Sequence, residues 1–301
     1  MIHWLKTPKN RQLAKYIDCY WFLEKLPNTE GNDYPKLNPD PAAHLIITLP
    51  AQSFQYKSDK GVIQVEGSHW LNPYEKTYTL DHSKAVACIG IKFHVGALYS
   101  LPKLNALQGK AMQTLINGIK TINFDDVFLN DINLKRSNQS NCNLGNNNQI
   151  NEHVLLELAR NEPDDCCTLL DNLSQPWLLT CHEDNHSETT RRILPLLSNT
   201  AINQLGDILH CSQRTLERSF LTVTGLTLKQ CQSMNRLEAI LEFLYQRKQS
   251  EIDWVDIAYQ FGFSDQPHLI RYLKKQLGLT PQDYAQQRGF TIDLYGSVNS
   301  I

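Results

Sequence analysis

Arg214, Glu217, Arg218 and Leu221 recur at i, i+3, i+4 and i+7 along QRTLERSFLTVT, so they share one face of a helix. Leu216 and Phe220 fall on another face and can pack inward. A second segment, QPHLIRYLKKQL, divides in the same way. Leu269, Tyr272 and Leu273 turn inward, while Gln266, His268, Ile270, Arg271 and Lys274 are left outward, with Pro267 in the first turn. The outward side chains match base edges in a major groove. Arg pairs bidentately with guanine, Gln with adenine, Glu accepts from the cytosine amino group, and an apolar side chain can meet a thymine methyl. Each good pair discriminates by ~1–3 kcal/mol. Lys229, Arg236, Lys274 and Lys275 are better placed on phosphates, which set register and salt dependence but carry no sequence information.

The elements that must position these side chains are themselves repeated. AINQLGDILHCSQRTLERSFLTVTGLTLKQ and DWVDIAYQFGFSDQPHLIRYLKKQLGLTPQDY share one plan. Leu205 and Ile257 match at an offset of 52, whereas Arg218 and Arg271, Gly225 and Gly278, and Thr227 and Thr280 match at 53. The extra residue falls in the tight turn between the two helices of each unit. Ser212 and Asp265 suit N-caps, because a side-chain oxygen there accepts from free backbone N–H groups. Pro267 sits where a missing N–H does no harm, and Gly225 and Gly278 suit helix ends that need positive φ. Between the copies, KQCQSMNRLEAILEFLYQR carries Met234, Leu237, Ile240, Leu241 and Leu244 at helical spacing. One continuous helix there would hold the two outward faces at a fixed relation, suited to adjacent major-groove segments ~34 Å apart.

These residues closely resemble the AraC/XylS family of bacterial transcription regulators. The family's features stand at Ser212–Phe220 (S-x-R-x-L-x-R-x-F), Gly225, Arg236–Leu237, Ile257–Phe263 (IA-x-x-x-GF) and Gly278–Pro281 (G-x-TP). The resemblance covers about a third of the chain. It implies that Arg214, Glu217 and Arg218 in one helix, and Gln266, Pro267, His268, Ile270 and Arg271 in the other, face the groove. Three departures stand out. Gly206 occupies a position where Ala is usual, Leu228 and Cys231 replace the Pro and Tyr of the first G-x-S/T-P-x-x-Y, and Pro267 and Ile270 leave the second face poorer in donors. PDPAAHLIITL and IGIKFHVGALYSL resemble elements of the β-rich sensory domains that many members carry. That likeness implies a cupin-like domain that binds a small effector or a partner and could dimerise.

The fold class expected is α+β and multi-domain, a β-rich cupin-like domain followed by an all-α domain with two helix-turn-helix motifs. Three parts are expected: a β-rich sensory, effector-binding or dimerisation domain over 1–130, an Asn-rich loop and helical linker over 131–186, and the tandem motif over 187–290. Short β-branched runs at 45–49, 61–65, 76–80 and 85–93 read as strands, and the aromatic cluster Tyr16–Phe22 as a strand or short helix. From Gly96 to Leu129 the spacing of Leu98, Leu101, Leu104, Leu107, Ile116 and Ile119 reads as helical. Residues 138–151 hold seven Asn in fourteen and bury little apolar surface.

Charge is modest. Residues 1–186 carry 17 Lys/Arg against 20 Asp/Glu, and residues 187–290 carry 12 against 10. A nucleic-acid partner must therefore be met by local placement of cations rather than by a strong global field. No apolar run reaches the ~20 residues needed to cross a bilayer, and the N-terminus does not read as a secretory signal. The eight cysteines form no C-x-x-C pair and read as reduced thiols. His44, His69, His82 and His94 form neither H-x-H nor H-x-x-x-H, so no metal and no cofactor is expected. Trp21, Trp70, Tyr78 and Phe93 are either core or the lining of an effector pocket. The expected function is a non-enzymatic, cytoplasmic, nucleoid-associated regulator. Its expected partners are double-stranded promoter DNA, RNA polymerase, a possible small-molecule effector and a possible second copy. The alternative is a cupin-like metal-dependent enzyme with an accessory DNA-binding domain.

Overall fold

The computed structural model describes residues 2–26, 33–108, 115–129, 150–245, 247, 252–278 and 280. Most of the Asn-rich stretch, Pro281 of the G-x-TP motif and the C-terminal tail lie outside them. The strands are β1 (Ile2–Lys6), β2 (Ile17–Lys25), β3 (Lys36–Leu37), β4 (His44–Ile47), β5 (Ser53–Ser58), β6 (Gly61–Glu66), β7 (His69–Leu71), β8 (Tyr78–Leu80), β9 (Val86–Phe93) and β10 (Ile119–Thr121). They form two antiparallel sheets, ordered β1-β2-β9-β4-β7-β10 and β3-β8-β5-β6.

The larger sheet is buried on both faces, and the period of two along its strands sorts the side chains. In β2, Cys19, Trp21 and Leu23 point between the sheets, where they meet Phe54, Tyr56, Tyr78 and Leu80 of the smaller sheet. Tyr20 and Phe22 point the other way with Ile89, Ile91 and Phe93 of β9. Trp21 lies opposite Gly90, and a Cβ at 90 would stand 1.8 Å from the indole. Gly90 thus makes room for the ring inside the sandwich. The outer face is covered by α1 (Pro102–Gln108), α2 (Phe124–Phe128), α3 (Glu152–Asn161) and α4 (Pro163–Ser174), through residues such as Leu104, Phe128, Leu155 and Leu170.

Sequence periodicity over 96–129 overstated helix. Ile119 belongs to β10, which pairs with β7 from Ile119↔Leu71 to Thr121↔His69. Sheet pairing at this edge outweighs a helical spacing too short to hold a helix alone. Strands β5 and β7 were not read from sequence, although β5 alternates exposed and buried residues with Phe54 and Tyr56 inward.

The C-terminal helices are α5 (Asn185–Ile193), α6 (Leu205–Leu209), α7 (Gln213–Thr224), α8 (Leu228–Tyr245), α9 (Trp254–Gln260) and α10 (Gln266–Leu277). They build two cores. Leu205, Leu209, Leu216, Phe220, Leu226, Leu228, Cys231 and Met234 make the first. Leu237, Ile240, Leu241, Leu244, Ile257, Phe263, Leu269 and Leu273 make the second. The spacer α8 runs through both, its first half in one core and its second half in the other. The β-rich domain is joined to this assembly by contacts as well as by chain. Val95 and Ile116 pack on the first core, Tyr99 donates to Asp184 Oδ2 at 2.7 Å on the N-cap of α5, and Tyr16 donates to Glu183 at 2.9 Å.

Candidate nucleic-acid interface

Each unit delivers its second helix by the same local chemistry. Ser212 caps α7 by accepting from Thr215 N at 3.1 Å, and Asp265 caps α10 by accepting from His268 N at 2.7 Å. Gly225 and Gly278 end the two helices at φ 74° and 70°, where glycine avoids the steric penalty of a Cβ. The turn before α7 holds His210 at φ 53°, and the matching turn before α10 holds Gly262 at φ 71°. Gly206, the departure from Ala noted above, lies against this turn. A Cβ there would stand 3.0 Å from Cys211 O, so the missing methyl gives the first turn its closeness.

In α7, Leu216 and Phe220 are fully buried, while Arg214 and Arg218 are exposed across the helix from them and Glu217 is exposed on the flank. Glu217 accepts from Gln213 Nε2 at 2.9 Å, so its described partner is an amide one turn earlier and not either arginine. In α10, Leu269 and Leu273 are buried. Pro267, His268 and Arg271 are exposed, and Gln266 and Ile270 are half-buried. The His268 ring stands edge-on to Phe263 at 5.1 Å, with Nδ1 3.3 Å from Ser264 Oγ. This reading face is therefore more fixed and less rich in free donors than that of α7.

The four cations assigned to phosphates separate into two kinds. Lys229, at the start of α8, and Lys274 and Lys275, in the last turn of α10, are exposed. Arg236 is half-buried, and its guanidinium lies over the Phe263 ring at 5.5 Å. It lines an open cleft of about 430 Å³ between the two units, with Asn199, Gln232, Asn235 and Gln260. It joins α8 to the second turn as well as offering a charge.

The β-rich domain does not gather its candidate residues into one site. Trp70 and Phe93 lie in the core under the helices, and Trp21 and Tyr78 in the core between the sheets, so the four are divided by a sheet. The histidines are also apart. His69 meets Tyr56 Oη at 2.6 Å and Gly67 O at 2.8 Å, and burial pushes it down to about 4. His44 meets Asp40 Oδ2 at 3.1 Å, and Lys92 Nζ meets the same oxygen at 3.3 Å. Burial opposes both charges of the Asp40–Lys92 pair. Lys92 and His44 nonetheless hold the Asp40 carboxyl well below its usual range, and Asp40, then Glu238 of α8, hold the Lys92 ammonium above its own. Burial raises the thiols of Cys19, Cys88, Cys166 and Cys231 to about 12 and that of Cys167 to about 11, which keeps them protonated and unreactive.

Sequence reasoning missed the cross-domain contacts of α8, including Glu238 and Gln230. One signal was present, because Thr227-x-x-Gln230 is the pattern of a helix capping box.

Two short helices before two capped recognition helices, hung on one spacer helix, define a double helix-turn-helix DNA-binding domain. Residues 205–287 match the family described as "Helix-turn-helix domain". Residues 7–111 match a domain of unknown function, DUF6597. No curated protein matches the chain. Among solved structures the chain is similar to ToxT from Vibrio cholerae, at 10% identity over 88% of this chain and 98% of that one, with a TM-score of 0.41. It is similar to the C-terminal domain of AraT, a response regulator from Geobacillus stearothermophilus, at 22% identity over 38% and 95%, TM-score 0.32. It is also similar to the AraC-like transcriptional activator CuxR, at 14% identity over 78% and 85%, TM-score 0.24.

Proposed function

We propose that the protein is a sequence-specific transcription regulator that reads promoter DNA mainly through α7. Arg214, Glu217 and Arg218 make the primary base contacts. Gln266, Pro267, His268, Ile270 and Arg271 make a second, less demanding set, and Lys229, Arg236, Lys274 and Lys275 hold phosphates. One observation carries this reading: the exposed Arg214 and Arg218 lie across from the buried Leu216 and Phe220 of a helix fixed at both ends, with Glu217 exposed on the flank beside them. A helix so anchored presents its polar face outward, as groove reading requires.

The β-rich domain is the regulatory part in this reading. A small molecule or partner bound there would shift the population of productive DNA-binding states. Contact with RNA polymerase and pairing with a second copy belong to the same proposal. The test is selection of bound DNA from a random pool, followed by titration of the selected site at several salt concentrations. Specific, salt-dependent binding that is lost in Arg214→Ala/Arg218→Ala is expected. Undiminished binding by that variant would sink the assignment of α7.

A further inference from the structure

The turn between β7 and β8, Asn72–Thr77, is held from inside the β-rich domain. Asn117 N donates to Pro73 O at 2.7 Å, Asn117 Oδ1 accepts from Glu75 N at 2.9 Å, and Asn117 Nδ2 reaches Glu75 Oε2 at 3.5 Å. Asn117 does this from the left-handed region, at φ 61°, which asparagine tolerates better than most residues. Tyr74 and Asp40 exchange backbone hydrogen bonds of 3.1 Å each, which ties the turn to the buried Asp40–Lys92–His44 cluster. The Glu75 carboxylate is thereby aimed in advance.

This turn meets the DNA-binding domain at two separated points. Glu75 Oε1 accepts from Gln230 Nε2 at 2.6 Å. Gln230 is the residue that closes the N-terminal cap of α8. Its Oε1 accepts from Thr227 N and Thr227 Oγ1, both at 2.7 Å, and its own N donates to Thr227 Oγ1 at 3.2 Å. Gly225 ends α7 just before, so the amide that receives Glu75 also fixes the corner between the first recognition helix and the spacer. Further along the turn, Thr77 Oγ1 donates to Gln276 O at 2.8 Å, near the end of α10. Gln276 Nε2 in turn reaches Ser233 Oγ of α8 at 3.4 Å.

We propose that the Asn72–Thr77 turn is a brace that sets the relation of the two recognition helices, with Glu75 and Thr77 as positioning residues for the spacing of the two half-sites. The proposal rests on the DNA-reading assignment above. Each unit packs its own core on one half of the spacer helix. Two hydrogen bonds from one turn, one to each unit, tie both to a common point in the β-rich domain. The linkage also gives the β-rich domain a route to both reading heads, because a change near Asp40 or Tyr74 moves the turn that holds them.

The experiment uses the full chain and an operator selected with the wild type, alongside versions with one base pair added or removed between half-sites. The wild type should lose about tenfold or more on respaced sites. Glu75→Ala/Thr77→Val should bind respaced and original sites within about threefold of each other, the tenfold penalty being of the size that one charge-assisted hydrogen bond controls. Glu75→Gln, which keeps an acceptor for Gln230, should restore the wild-type penalty. An unchanged penalty in the double variant overturns the brace. If the wild type binds no DNA specifically, the DNA-reading assignment fails, and the brace is judged by amide hydrogen exchange of the free protein. The double variant should then exchange about tenfold faster at the α8 cap and the last turn of α10, with the β-strands unchanged. Equal protection in the two proteins overturns it without reference to DNA.

Discussion

The two helix-turn-helix units share a plan and differ in where they are rigid. The first has the more adaptable reading face, with Arg214 and Arg218 exposed and Glu217 engaged by Gln213 alone among the described residues. Its turn is the strained one, because His210 is held at φ 53°. The second has the relaxed turn, with Gly262 at φ 71°, and the stiffer face, with His268 set between Phe263 and Ser264. Under the proposed function, hydrogen-bond readout falls to the first unit and apolar or phosphate contact to the second. That proposal implies an uneven footprint, demanding in sequence under α7 and tolerant under α10.

The largest effect that tests this asymmetry is on specific binding. Arg214→Ala/Arg218→Ala should weaken the selected operator by about 100-fold or more, and Gln266→Ala/Arg271→Ala by about tenfold, given ~1–3 kcal/mol for each good base contact. Equal losses in fluorescence titrations would break the comparison. Next comes Lys274→Ala/Lys275→Ala. It should reduce the slope of log affinity against log salt by about 2 and weaken all sequences alike. A changed base preference in a repeated selection would mean that these lysines read sequence.

Smaller effects separate the turns. Gly262→Ala should destabilise the protein by ~1–2 kcal/mol, the penalty of left-handed backbone in a residue with a Cβ. No atom lies within 4 Å of the added carbon, so denaturant titration would report the backbone alone. His210→Gly should act in the opposite direction, stabilising by up to ~1 kcal/mol. Destabilisation would show that the imidazole makes contacts that outweigh the strain.

Much of the C-terminal architecture was legible because its signals are local. Ser212, Asp265, Gly225 and Gly278 act on the backbone within one turn of themselves, and Leu216, Phe220, Leu269 and Leu273 declare an inward face by spacing alone. Local signals were weaker in the β-rich half. β10 holds by pairing with β7, which is distant in sequence. β7 is buried on both faces and shows no alternation. Trp21, Trp70, Tyr78 and Phe93 read as one aromatic set in sequence, whereas the larger sheet divides them between two cores.

The sequence by itself determined that two capped helices of one design stand on a common spacer, and which side chains each turns away from its core. Periodicity and capping are properties of a residue and its near neighbours, so no long-range contact is needed to read them. Only the tertiary structure decided that Arg236 rests on Phe263, that Asp40, His44 and Lys92 form one buried cluster beside α8, and that Glu75 and Thr77 reach Gln230 and Gln276. Those pairings join residues up to 199 positions apart, and no rule of spacing connects them. They exist because the β-rich domain and the helices bury shared surface, and burial leaves polar groups to find partners wherever the fold brings them.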